Sequence, residues 1–213
     1  MQKPAGLNIA IFASGQGSNF QAIYDAIERG KIPVARIVVV ISNNSNAGAL
    51  ERARRLGLPA VHLSRPQFAS DEIFAQAILA TLRSHQANFI ALAGYMKKLD
   101  PAVLHEYANR VVNIHPALLP AFGGKGMYGM RVHEAVIASG AKRSGATVHI
   151  VTDEYDRGSI LAQGTTTIEA GETAETLAAK VLKIEHQIYP EAIRRMAEGS
   201  LALDDGDALG TNG

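Results

Sequence analysis

Ile37-Val38-Val39-Val40-Ile41-Ser42 is apolar at every position but the last, and its reading decides the fold. A strand with one face in water alternates apolar and polar residues, whereas a run that is apolar on both faces belongs to a parallel sheet covered by helices on both sides. Phe89-Ile90-Ala91-Leu92-Ala93-Gly94 repeats the signature. Outward from these two runs, strand patterns fall near 7 to 13, 35 to 42, 60 to 63, 88 to 94 and 111 to 115, with helical patterns near 19 to 29, 46 to 56, 71 to 85 and 101 to 107. The alternation predicts an α/β domain: a doubly wound, Rossmann-like, mostly parallel sheet with helices on both faces. A Gly-rich segment from Phe122 to Gly129 follows, then a helix near 131 to 138 and two strands near 145 to 152 and 159 to 168. Thr173 is placed to cap a last helix on which Leu177, Val181, Ile184 and Ile188 share a face, and Pro190 bends or restarts it. Residues 1 to 203 are expected to form a single domain, with a frayed tail over 204 to 213.

Composition narrows the function classes. A chain of 213 residues with net charge +1 and no run of five like charges lacks the electrostatic footprint of a general nucleic-acid binder. The absence of cysteine rules out a disulfide framework, a thiolate nucleophile and a cysteine-ligated zinc site. No stretch approaches the roughly 18 apolar residues of a membrane helix, and the N-terminal apolar run is too short for a signal peptide. A soluble cytoplasmic protein without membrane contact is the expectation, and the sequence is silent on oligomeric state.

Two segments carry chemistry. Ser14-Gly15-Gln16-Gly17-Ser18-Asn19 lies where the first strand turns into the first helix, so backbone N–H groups and the helix dipole can face an anion. The dinucleotide fingerprint fails here, because Phe20 replaces its third glycine and Ile41-Ser42-Asn43-Asn44 supplies no acid for a ribose. No GxxxxGK[ST] occurs either. The loop suits a single terminal phosphate, and it also reads as a tight turn with an ordinary Ser/Asn helix cap. In Asn113-Ile114-His115-Pro116, the two-residue period of a strand puts Asn113 and His115 on one face while Val112 and Ile114 enter the core. An amide donor beside an imidazole, with a carboxylate from Asp153-Glu154-Tyr155-Asp156-Arg157-Gly158, suits acyl transfer through a tetrahedral oxyanion. The acidic segment equally fits a solvated turn. His133-Glu134 and His105-Glu106 lack the second histidine of HExxH, and DEYDRG fails the calcium-loop pattern, so no metal is expected.

SGQGSNFQAI, LAGYMKKL, VVNIHPALLPAF, GATVHIVTDEYDRGSIL and EHQIYP, in that order, make almost the whole chain resemble the glycinamide ribonucleotide transformylase family. The resemblance implies transfer of a formyl group from 10-formyltetrahydrofolate, as co-substrate, to the amine of 5'-phosphoribosylglycinamide in purine synthesis. It implies Asn113, His115 and Asp156 as the catalytic trio, Gly17, Ser18 and Asn19 around the substrate phosphate, and Glu185 at the glycinamide end. Met96, Lys97, Lys98 and Leu99, together with Asn113 and the Thr152, Asp153, Glu154, Tyr155 and Asp156 backbone, would form the folate slot. His149 matches a family histidine near the site and equally fits a structural role, and the peptide before Pro120 matches a cis one. Asp156 is expected either to hold the His115 ring and raise its pKa, or to act through an ordered water in moving a proton from the attacking amine to the leaving nitrogen. Three departures concern the folate tail and the rim: Asp71 and Lys97 stand where relatives carry arginine, and FGGKGMYGM is longer than in many relatives, with Lys125 a candidate anion contact. At this length, the extra domains of methionyl-tRNA formyltransferases or formyl-folate hydrolases are not expected. Hydrolysis of formyl-folate, or non-catalytic folate or nucleotide binding, are the alternative functions.

Overall fold

The computed structural model describes residues 6–199. Seven strands form one sheet: β1 (Leu7–Phe12), β2 (Ala35–Ser42), β3 (Ala60–His62), β4 (Phe89–Leu92), β5 (Val111–His115), β6 (Arg143–Ile150) and β7 (Ile160–Thr167), in the order β3-β2-β1-β4-β5-β6-β7. Pairings from β3 through β5 are parallel, and β5–β6 and β6–β7 are antiparallel. The helices are α1 (Ser18–Glu28), α2 (Gly48–Arg55), α3 (Asp71–Ser84), α4 (Pro101–Glu106), α5 (Met130–Ala138) and α6 (Ala174–Ala197). Their apolar faces build two cores. Phe20, Ile23, Leu50, Val136, Leu177 and Val181, from α1, α2, α5 and α6, pack on one side of the sheet, and Ile78, Leu79, Leu82 and Val103, from α3 and α4, pack on the other. Both faces of β2 and β4 are therefore buried, as their unbroken apolar runs require.

α6 is one helix of 24 residues that passes through Pro190 without restarting. Thr173 caps it, its side chain accepting from the Thr176 amide. The helix packs directly on β7 at Gly164, where an added Cβ would sit 2.3 Å from Ile184 Cγ2. Deeper in, the buried Tyr189 hydroxyl reaches the carbonyls of Leu92 and Val112 at 3.0 and 3.2 Å, which ties α6 to the ends of β4 and β5. No described helix is long and apolar enough to cross a membrane. The expected frayed tail over 204 to 213 lies outside the described residues.

The strand order reverses direction between β1 and β4, and open α/β sheets bind ligands in the crevice beyond such a switch point. Ser14 joins the two loops there: its amide donates to Gly94 O (3.0 Å), its hydroxyl donates to Asn43 Oδ1 (2.5 Å), and it accepts from the Met96 amide (2.8 Å).

Candidate active site

β5 and β6 run antiparallel with Asn113 opposite His149 and His115 opposite Thr147. Facing cross-strand residues project to the same side of a sheet. Asn113 Nδ2 thus lies 3.1 Å from His149 Nε2. Thr147 fixes the turn beyond β5: its hydroxyl donates to Ala117 O (2.7 Å) and accepts from the Leu119 amide (3.0 Å), next to the cis Leu119–Pro120 peptide.

Asp156 arrives from the loop after β6 in a left-handed conformation, φ 55°. Its Oδ1 is 3.5 Å from His149 Nε2, its Oδ2 is 3.8 Å from His115 Nδ1, and Oδ2 also accepts from the Gly124 amide at 2.8 Å. His115 Nε2 lies 2.8 Å from Phe122 O, and His149 Nδ1 lies 2.8 Å from Ile150 O. Carbonyls only accept, so each of those two ring nitrogens carries its hydrogen. The remaining nitrogen of each ring faces Asp156, and a proton added to either imidazole lands beside the carboxylate.

Burial raises the Asp156 pKa, but the Gly124 amide hydrogen bond and the two adjacent imidazoles outweigh it and leave the carboxyl below its usual range. His115 departs from the sequence expectation. Its pKa is lowered, because burial outweighs the upward pull of Asp156 and of Phe122 O, and His149 adds to the decrease. The ring is therefore neutral at neutral pH, not held charged by its carboxylate.

These groups line a cleft of about 910 Å³ at the switch-point edge. Exposed Met96, Tyr128, Met130 and Tyr155 form its apolar rim, and Lys98 lies 5.2 Å above the Tyr155 ring. Ser18, Asn19 and Glu185 line it too. Asn19 Nδ2 donates to Glu185 Oε2 at 2.5 Å, and burial pushes the Glu185 carboxyl up to about 7 against the opposing effect of that bond. α1 has no side-chain cap: its N-cap is Gly17 at φ 74°, not the Ser/Asn cap that the sequence also allowed. A Cβ at Gly17 would lie 2.9 Å from Ala49 Cβ, so glycine is required both for the turn and for the approach of α2.

A family model described as Formyl transferase matches residues 7–193. Phosphoribosylglycinamide formyltransferase of Escherichia coli K12 is 36% identical over 95% of this chain and 92% of its own. This chain belongs to the phosphoribosylglycinamide formyltransferase family. The chloroplastic phosphoribosylglycinamide formyltransferase of Vigna unguiculata is 42% identical over 89% of this chain. The chain spans 61% to 67% of the length of three such plant relatives. Glycinamide ribonucleotide transformylase 1 of Symbiobacterium toebii superposes with a TM-score of 0.88 at 39% identity, covering 94% of this chain and 92% of that one. A formyltetrahydrofolate deformylase from Pseudomonas syringae has a TM-score of 0.83 at 24% identity, which shows a shared fold.

Of the residues that the formyltransferase resemblance assigned to the site, all but Gly17 and Asp153 line the cleft. Asp71 stands outside it, exposed at the start of α3 and paired with Arg65, while Lys125 lies on the wall. Sequence reasoning left one histidine of the cleft with two readings and did not place a second there. His149 bridges Asn113 and Asp156, a position that only the antiparallel direction of β6 would have signalled. His133 on α5 lines the cleft with its Nδ1 buried and unpartnered among the described residues, and the sequence had marked it only as half of a failed HExxH pattern. Among the described residues no group of three or more His, Asp or Glu is set to hold a metal ion.

Proposed function

We propose that this chain transfers the formyl group of 10-formyltetrahydrofolate to the amine of 5'-phosphoribosylglycinamide, a step of de novo purine biosynthesis, as a cytoplasmic enzyme acting on small molecules. The observation that carries the proposal is the Asn113 amide set against the His149–Asp156–His115 cluster, in one cleft with the uncapped start of α1 and the buried Glu185. Family membership selects the chemistry.

In the proposed reaction the amine forms a bond to the formyl carbon, the bond from that carbon to folate N10 breaks, and a proton passes from the amine to N10. Asn113 Nδ2 has two hydrogens. One is directed at His149 Nε2, which anchors the amide, and the second is free for the developing oxyanion. Asp156 is ionised at neutral pH and moves the proton through an ordered water. His115 becomes a second donor to the oxyanion when its Nε2–H leaves Phe122 O, which requires the 122–129 segment to shift. Ser18 and Asn19, with the Gly17 turn, receive the phosphate on α1 N–H groups. Glu185 takes the donor groups of the glycinamide end. The apolar rim and Met96 to Leu99, facing the 152–156 backbone, form the slot for the folate ring.

The test is a steady-state assay with 10-formyltetrahydrofolate, with and without the ribonucleotide, following tetrahydrofolate release and the fate of the formyl carbon. Amine-dependent release with formylated ribonucleotide supports the transferase. Formate without the amine means a hydrolase, and no release in either case means a binding protein.

A further inference from the structure

We infer that Arg52, on α2, is a binding residue for the terminal phosphate of the substrate, closing the anion site at the start of α1 from the side. The inference rests on the phosphoribosyl substrate proposed above.

α2 is fastened to the anion loop by the Ala49 amide, which donates to Gly15 O at 3.0 Å, and by the close Gly17–Ala49 contact. From that base Arg52 reaches back to the loop. Its Nη1 donates to Gln21 Oε1 at 2.8 Å, and its Nε lies 3.4 Å from Gln16 O. Both acceptors are neutral, so the charge is positioned without being neutralised. Arg29 and Arg194 border the same neighbouring cavity of about 540 Å³ as Arg52, and each is paired with a carboxylate. Arg52 forms no ion pair, and its Nη2 has no partner among the described residues. Pinning α2 to the loop uses Nε and Nη1. It leaves the charge and the third nitrogen without a role.

A second group at the same point is also incomplete. Asn19 is only 7% exposed and lines the catalytic cleft, and its Nδ2 keeps a second hydrogen beyond the one given to Glu185. Ser18, the first residue of α1, borders both the catalytic cleft and the cavity that Arg52 lines. A phosphate received on the uncapped α1 N–H groups therefore lies between the cleft and a guanidinium with a free edge. Guanidinium groups bind phosphate oxygens by paired, charge-assisted hydrogen bonds. Phosphate recognition is thus split between backbone donors, which any sequence with Gly17 could supply, and one side chain contributed by α2.

The experiment crosses Arg52→Ala with removal of the phosphate from the substrate. For the phosphorylated substrate, KM should rise on the order of tenfold or more, as for loss of a charge-assisted bond, with kcat within about twofold and the KM of the folate unchanged. The dephosphorylated riboside should be turned over equally by both proteins, and Arg52→Lys should recover part of the loss. An equal fall on both substrates would make Arg52 a structural pin and overturn the inference. Titration with inorganic phosphate, followed at the Ser18 and Asn19 amides by NMR, separates this inference from the proposed activity. If the protein proves to have no formyl transfer, weaker phosphate binding in the alanine variant still upholds Arg52, and unchanged binding refutes it.

Discussion

Replacing Glu185 by Gln should make the protein more stable at neutral and alkaline pH while impairing it as an enzyme. Glu185 is 7% exposed, and burial raises its carboxyl from the ordinary 4.5 to about 7, the Asn19 bond opposing the rise. Between those two values the unfolded chain releases the proton and the folded chain keeps it. The native state therefore loses stability as pH rises through the window from 4.5 to about 7, and the loss is complete above it. At about 1.4 kcal/mol per pH unit, the gap amounts to about 3 kcal/mol. Glutamine cannot ionise, and its carbonyl can still accept from Asn19 Nδ2. Urea unfolding of both proteins at about pH 5, 6, 7 and 8 isolates the effect, since every other titrating group cancels in the difference. The two should be nearly equal at about pH 5, and the variant should be more stable by about 3 kcal/mol at about pH 8, or roughly 5–10 °C in Tm for a domain of this size. The variant should bind the ribonucleotide less well, because a carboxylate that accepts from donor groups has become an amide. A stability difference independent of pH would refute the reasoning, since it would mean that Glu185 ionises normally in the folded chain.

Asn113→Ala should lower kcat on the order of 10² with folding unchanged, as loss of one oxyanion donor does, and single-turnover kinetics checks it. Near-normal turnover would remove Asn113 from the proposed chemistry. Gly17→Ala should destabilise the protein by about 2–4 kcal/mol, from the left-handed backbone and the collision with Ala49 together. It should also raise KM for the ribonucleotide more than for the folate, and a thermal melt with two KM measurements reads both effects.

The elements of this protein are local properties, and the sequence carries them openly. Ile37 to Ser42 announces a strand buried on both faces because no polar residue interrupts it until the last. Asn113 and His115 fall on one face by the period of two alone, and the Gly17 turn into Ser18 marks the anion loop. These features depend on neighbours a few residues away, which is why the doubly wound core, the Asn113–His115 face and the glycine turn could be read without coordinates, whereas Glu185 and the Met96 to Leu99 segment came from the family resemblance.

What the residues do to one another was decided by tertiary structure. β6 and β7 turn the sheet antiparallel, and β7 shows it only as alternating burial. That direction sets His149 opposite Asn113 and turns a histidine with two equal readings into the bridge to Asp156. Pro190, a helix breaker by its chemistry, lies inside an unbroken α6 because packing on the sheet holds the helix through it. The His115 pKa moved opposite to the pairwise expectation. Attraction to one carboxylate follows from knowing the partner, but desolvation is summed over every atom packed around the ring, and that sum exists only once the chain has folded.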